Sequence, residues 1–213
     1  MVFDKCLWVN HPARTYTAEH KAIQLRAAAK LGFEVPSTRV ANSRFAFSDV
    51  ADDRSLVALK GLETVIARET SCELFGYTNM LTKEEVDCGE LVSAPAIIQA
   101  ALVDKLDLRV TVVGGSVWCA AITRQGKRIW GDWRLAKTDA EFKAFRLPGQ
   151  VTKNCVALTK TLGLQFGAID LALSDGKYYF LEINPTGEWA WLQSGIGFEI
   201  SNSIANCLTK GQR

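Results

Sequence analysis

The sequence predicts an α+β fold, on three observations. Two segments read as β-hairpins: residues 108–123, with Gly114-Gly115 at the turn, and residues 168–183, where two apolar β-rich runs flank Ser174-Asp175-Gly176-Lys177. Helical stretches lie outside them, at 17–31, 151–162 and 197–208, the first two stopping at Gly32 and Gly163. The 213 residues are 48% hydrophobic with a net charge of +2, which fits one globular unit, in one lobe or two, with ample core.

The same composition excludes several classes. No charged face points to nucleic acid, and no run of 18 apolar residues spans a membrane. The N-terminus lacks the apolar region of a signal peptide, and the six cysteines are scattered without a C-x-x-C. Reduced thiols and a cytoplasmic location are expected.

In chain order, residues 1–16 read as irregular. Thr17 caps the first helix, which carries Lys21 in its first turn. Residues 55–60 and 64–68 read as a strand pair turning near Gly61. Lys60 closes the apolar run Leu-Val-Ala-Leu-Lys. A lysine ending a buried strand needs a counter-charge, and an anionic phosphate is one. Residues 69–80 carry no clear pattern. Thr82-Lys83-Glu84-Glu85 is a capping box that starts a short helix, and 94–102 is a buried strand. Arg109 sits on the first strand of the 108–123 hairpin. Ile129-Trp130 is a short second signal before Asp132-Trp133-Arg134. Thr138-Asp139-Ala140-Glu141 reads as another capping box, with a helix running to Pro148. The last loop, 186–197, offers Trp189 and Trp191 either to stack on a substrate or to plug the lobe.

The 168–183 hairpin carries the chemistry. Strand alternation puts Glu182 and Asn184 on one face and Ile183 on the other. Whether Asp170 joins them depends on the loop. A two-residue Asp175-Gly176 turn pairs Asp170 with Leu181 and turns it away. A three-residue loop, 174–176, pairs it with Phe180, diagonal to Glu182. The three-residue loop is expected, because it collects Ile169, Leu171, Leu173, Leu181 and Ile183 on one apolar face. Two carboxylates on the other face repel unless a cation lies between them. Oxygen-only donors select a hard ion, Mg²⁺ or Mn²⁺, and Mg²⁺ completes its shell with phosphates and water. The hairpin therefore predicts a Mg-nucleotide site.

Asp170 followed by Glu182-Ile183-Asn184-Pro185 resembles the metal signature of the ATP-grasp superfamily. The longer string Leu181–Gln193, LEINPTGEWAWLQ, resembles one branch, the microviridin and graspetide type of ribosomal-peptide maturases. The resemblance implies the ATP-grasp fold, two α+β lobes holding the nucleotide between antiparallel sheets, here an arm over 1–16, one lobe over 17–97 and another over 98–213. It implies ATP and Mg²⁺, with Mn²⁺ a substitute, bound by metal ligands Asp170, Glu182 and Asn184. Lys21, in the pattern of Asn10, Pro12, Gln24 and Leu25, and Lys60 would reach the phosphates. Ile98, Gln99 and Leu102 would hold the adenine, Asp107 the ribose, and a flap over 69–80 would cover the phosphates. Arg109 and Arg134 would stabilise charge at the reaction centre. The implied activity is an ATP-dependent ligase joining a carboxylate to an amine or alcohol through an acyl phosphate, on a precursor peptide. A nucleotide-binding module without turnover and a small-molecule amino-acid ligase are the alternatives. Family members usually carry about a hundred further residues before the Lys21 helix, roughly one small domain. The resemblance thus implies a short form, a fragment, or a subunit whose partner or second copy supplies the rest.

Overall fold

The computed structural model describes residues 6–47, 49–52, 54–62, 66–69, 72–88 and 94–210. Helices α1 (Pro12–Glu19) and α2 (Lys21–Lys30) precede strands β1 (Thr38–Ala41), β2 (Val57–Lys60), β3 (Ile66–Glu69), β4 (Cys72–Phe75) and β5 (Asn79–Leu81). Then come α3 (Lys83–Cys88), β6 (Ala96–Ala100), β7 (Leu106–Val113), β8 (Ser116–Arg124) and β9 (Ala140–Ala144). The chain ends with α4 (Gly149–Thr161), β10 (Phe166–Ser174), β11 (Lys177–Asn184), α5 (Ala190–Ile196) and α6 (Ile200–Lys210). Among the described residues, no helix is long and apolar enough to cross a membrane.

Two antiparallel sheets organise the molecule. The smaller runs β1-β6-β2-β5 and the larger β11-β10-β7-β8-β9, while among the described residues β3 and β4 pair only with each other. The larger sheet packs on α2 and α4 through Leu108, Val110, Ile169, Leu171, Phe180, Ile183, Leu158 and Ala28, all buried. A separate, smaller core of Phe47, Val57, Val86 and Ile98 backs the other sheet. This two-lobed arrangement of mixed α and β structure is the fold class that the sequence predicts.

Several local expectations change. The first helix is two helices. His11 caps α1, its Nδ1 accepting from the Ala13 N–H at 3.2 Å, with Pro12 in the first turn. Thr17 lies inside α1, where its hydroxyl donates to the Ala13 carbonyl at 2.9 Å. His20, extended at ψ 106°, ends α1 and opens α2. Strand β2 pairs with β5 and β6, not with the strand that follows it, and Thr64 lies outside the described residues. The Thr138–Glu141 segment opens strand β9, not a helix: the alternation Ala-Glu-Phe-Lys-Ala lets Phe142 pack on Trp133 and Trp191 while β9 pairs with β8. Residues 190–196, read as loop, form α5. The flap expected over 69–80 falls partly outside the described residues; what is described there is β4 and β5.

Candidate functional site

The site hairpin closes with a two-residue turn, not the three-residue loop expected. Ser174 pairs with Lys177, and Asp175 (φ 49°) and Gly176 (φ 73°) both take left-handed conformations, as a type I′ turn requires. A regular ladder from that turn would set Asp170 against Leu181. The register instead shifts between Asp170 and Leu171. Leu171 faces Phe180, Asp170 faces Glu182, and Leu181 is the extra residue of a β-bulge. Phe180, fully buried, takes the core position expected for Leu181, and Leu181 joins Glu182 along the cleft. The bulge restores what the turn would have lost.

Strand β10 also pairs with β7, so Arg109, Asp170 and Glu182 lie side by side across three strands. Arg109 Nε is 3.2 Å from Asp170 Oδ1. The pair lacks hydrogen-bond alignment, which leaves Arg109 Nε and Nη1 and Asp170 Oδ1 buried and unbonded among the described residues. The Arg109 guanidinium also lies 5.9 Å over the Trp133 ring. Glu182 is better satisfied. Lys21 Nζ donates to its Oε2 at 2.5 Å, and Asn184 Nδ2 donates to its Oε1 at 3.1 Å. Arg134 Nη1 stands 3.7 Å from Oε1. Arg134 is held by two parallel bonds from Nε and Nη2 to Asp132, at 2.9 and 2.8 Å. Asp132 in turn accepts the Thr78 N–H at 3.1 Å.

These contacts divide the two carboxyls. Burial pushes Asp170 up to about 7; Arg109 opposes this and the Glu182 charge adds to it. Burial would raise Glu182 as well, but the Lys21 and Arg134 charges outweigh it and hold the carboxyl well below its usual range. A buried acid facing a second carboxylate, with an oxygen that makes no hydrogen bond among the described residues, leaves that oxygen able to take a further cationic ligand. Among the described residues, no three His, Cys, Asp or Glu side chains cluster as a metal centre. Two carboxylates and the free Oδ1 of Asn184 suit a hard divalent ion that takes its remaining ligands from elsewhere.

Opposite this row, Lys60 ends β2 and donates to Gln99 Oε1 at 2.8 Å, and Gln99 donates to Thr38 Oγ1 at 2.9 Å. Burial lowers Lys60 to about 8, with Glu182 offsetting part of the effect. Asp107 lies within β7, not before it. Lys105 donates to both its oxygens at 2.5 Å, while burial keeps its pKa raised. One cleft between the two sheets is lined by Lys60, Gln99, Leu102, Asp107, Arg134, Asp170 and Glu182, with Ala58, Met80 and Leu171 as apolar walls.

Residues 18–208 match the RimK-like ATP-grasp domain. The chain belongs to this family. The ATP-grasp domain is similar to macrocyclase MdnC of Microcystis aeruginosa MRC, solved with the precursor peptide MdnA. They are 31% identical over 95% of this chain and 63% of the other, with a TM-score of 0.80. It is likewise similar to a RiPP-associated ATP-grasp ligase of Chryseobacterium gregarium, solved with ADP and a leader and core peptide. Here identity is 30% over 95% of this chain and 62% of that one, with a TM-score of 0.82. The D-alanine–D-alanine ligase of Bacillus anthracis, 12% identical with a TM-score of 0.61, shares the fold. The chain spans just under two thirds of the length of the two peptide-bound structures. No curated protein matches it.

Within the ATP-grasp domain, the expected site residues separate into three groups. The seven cleft-lining residues are brought together. Lys21, Arg109 and Asn184 reach the site by touching Glu182 or Asp170. Ile98 has its side chain in the core of the smaller lobe, fully buried and turned from the cleft. Two residues matter that sequence reasoning recorded only as pattern. Gln24, 2% exposed, clamps Ile183: Oε1 accepts its N–H at 3.0 Å and Nε2 donates to its carbonyl at 2.8 Å. Asn10 binds the neighbouring backbone, accepting from Phe166 N at 2.9 Å and donating to the Pro185 carbonyl at 2.8 Å. Together they fix the residues on either side of Glu182 and Asn184. Gly187 is a spatial necessity, because a Cβ there would lie 2.5 Å from that of Ala168.

Proposed function

We propose that this domain is an ATP-dependent ligase acting on a ribosomally made precursor peptide. It would phosphorylate a side-chain carboxylate and join the resulting acyl group to an amine or hydroxyl. The observation that carries the reading is the Asp170–Glu182 pair, facing each other in one cleft with Lys60 and Arg134. The peptide-bound relatives support the substrate class.

The residues divide the work by charge. Asp170, Glu182 and Asn184 would hold Mg²⁺, which when bound screens phosphate charge and draws the phosphates toward the acceptor. Lys60 and Lys21 would neutralise phosphate oxygens, Lys21 being freed from Glu182 when the carboxylate takes the metal. Gln99 and Leu102 face the cleft where the base would lie, and Asp107, Lys105 attached, borders it. Arg134, locked on Asp132, and Arg109, with Nη1 unbonded, offer fixed donors to the oxygens on which negative charge grows. No side-chain nucleophile is needed, because ATP supplies the activated group.

Glu182→Gln tests the assignment. The variant is expected to keep its circular dichroism and to lose at least a hundredfold of peptide-stimulated ADP release, read with precursor peptides encoded beside the gene. Undiminished Mg²⁺-dependent ADP release would remove the metal role. Nucleotide binding without ADP formation for any such peptide would reduce the domain to a nucleotide-binding module.

A further inference from the structure

Arg109 is a buried cation with little to hold it. It is 8% exposed, and its Nε and Nη1 make no hydrogen bond among the described residues. Its contact with Asp170, 3.2 Å from Nε to Oδ1, is misaligned, and on the ligase reading that carboxylate is committed to the metal. A guanidinium carries its donors in a rigid fork, which serves a reaction centre only when the fork points one way. The contact that remains is a ring. The Arg109 guanidinium carbon lies 5.9 Å from the centroid of Trp133. Indole attracts a cation more strongly than the other aromatic rings, and more so away from water. A ring face occupies none of the donors, so Nε and Nη1 stay available to oxygens. It also does not compete with a cation for Asp170.

Trp133 is itself clamped. Phe142 of β9 meets it edge-on, centroids 6.0 Å apart at 83°, and Trp191 of α5 lies 6.2 Å away at 46°. Those two rings pack on each other at 4.5 Å, so Trp191 acts as a brace. The backbone is held as well. Trp133 opens a short 3-10 turn, capped where Asp132 Oδ1 accepts the Arg134 N–H at 3.0 Å. Trp133 borders the nucleotide cleft, but only 9% of its surface is exposed, which leaves no open face for a base or a peptide ring to stack on.

We infer that Trp133 is a positioning residue that aims Arg109. The single segment Asp132-Trp133-Arg134 then sets both guanidiniums of the reaction centre, Arg134 through the Asp132 carboxylate and Arg109 through the indole face. The inference rests on the ligase reading above. Without the ring, Arg109 keeps its charge and loses its direction. What falls is the stabilisation of charge that grows during the reaction, not the affinity for ATP.

The test has two arms. The first needs no turnover: it follows the arginine Nε–H NMR signals of the nucleotide-free protein, with Arg109 identified by its loss in Arg109→Met. The indole face shields that group, so Trp133→Leu should move its signal downfield and Trp133→Phe part of the way. The Arg134 signal, held by Asp132, should stay. An Arg109 signal indifferent to both variants overturns the inference. The second arm is peptide-stimulated ADP release. Trp133→Leu should lower kcat about thirtyfold, the scale of a desolvated cation–π contact, with KM for ATP changed by less than about twofold. Trp133→Phe should recover most of the loss. In an Arg109→Met background, Trp133→Leu should cost nothing further, because it acts through the missing guanidinium. A raised KM with kcat preserved would make Trp133 a wall of the nucleotide cleft, and losses that add in the double variant would leave it a structural role alone; either result overturns the inference. Should Trp133→Leu not fold, Trp133→Phe carries both arms. If no peptide stimulates ADP release, the ligase reading fails, and the Nε–H signals still decide whether Trp133 holds Arg109.

Discussion

At the scale of single residues, the cleft is an arrangement of charges awaiting a partner, and Lys60 makes that measurable. Its folded pKa of about 8 lies below the ordinary 10.5 because burial penalises the ammonium. Between those values the unfolded chain binds more protons than the folded one, so this group makes stability rise with pH across the window. A polyphosphate favours the ammonium and should reverse the effect of burial. ADP binding at about pH 9 is therefore expected to take up close to one proton. Calorimetry in buffers of different ionisation enthalpy reads this directly, and Lys60→Met should abolish the uptake while weakening binding. Binding with no proton uptake would place the phosphates elsewhere. Gln24 supports the site without touching it. Gln24→Leu would orphan the Ile183 N–H and carbonyl in a buried place, at about 1–3 kcal/mol for each group. A lower urea midpoint with unchanged m, equivalent to a loss of about 3 kcal/mol or more of stability, is expected. A neutral result would mean that the clamp is dispensable.

At the scale of elements, the bulge at Leu181 reconciles a tight turn with a paired-carboxylate face. Its consequence can be tested by length changes. Deleting Leu181 removes the extra residue and leaves Asp170 opposite Glu182, facing the cleft. This variant is expected to fold and to bind MgADP. Inserting an alanine after Asp170 pairs with Leu181 and regularises the ladder, but turns both carboxylates into the core. Burying two such groups costs several kcal/mol each, comparable with the whole stability of a domain. Loss of soluble protein is expected for the insertion. If both variants behave alike, facing is not what the bulge secures.

The same element shows what the sequence could reveal. That a turn lies at Asp175-Gly176 was legible, as were the Gly114-Gly115 hairpin and α4, all being local; the length of that turn was not, since a two-residue turn stands where a three-residue loop was expected. The bulge was not, because it answers to the fit of Phe180 in a core built from distant residues. Helix α1 was hidden by a histidine cap, a residue outside the usual capping set. Strand β9 was masked by a capping-box pattern whose Asp139 is instead held by Arg124 at 2.8 Å. The partner of β2 could not be read from neighbours, because it pairs with strands separated from it in sequence. The site residues were legible as types and spacings; Gln24 and Asn10, which act through backbone, offered no chemistry of their own to notice.

At the scale of the whole molecule, the two sheets have cores of unequal weight. Strands β7, β8, β10 and β11 run eight or nine residues, while those of the smaller sheet run three to five. The larger sheet rests on an extended cluster between it and α2 and α4, the smaller on a few side chains around Phe47 and Ile98. Regions with fewer buried apolar contacts open at lower free energy, so the smaller lobe should exchange its amide hydrogens first. The nucleotide cleft takes residues from both lobes, Lys60 and Gln99 from one, Asp107, Asp170 and Glu182 from the other. A ligand bound there is lost when either lobe opens. It therefore stabilises the weaker lobe by the full binding free energy, about 2.7 kcal/mol at a hundred times its Kd. Hydrogen exchange is expected to be faster in β1, β2, β5 and β6 than in β7, β10 and β11 without ligand, and MgADP at a hundred times its Kd should slow both groups about a hundredfold. Uniform exchange across both sheets would show one cooperative unit. Protection confined to the larger sheet would mean that the nucleotide does not bridge the lobes, and Lys60 would lose its place in the site.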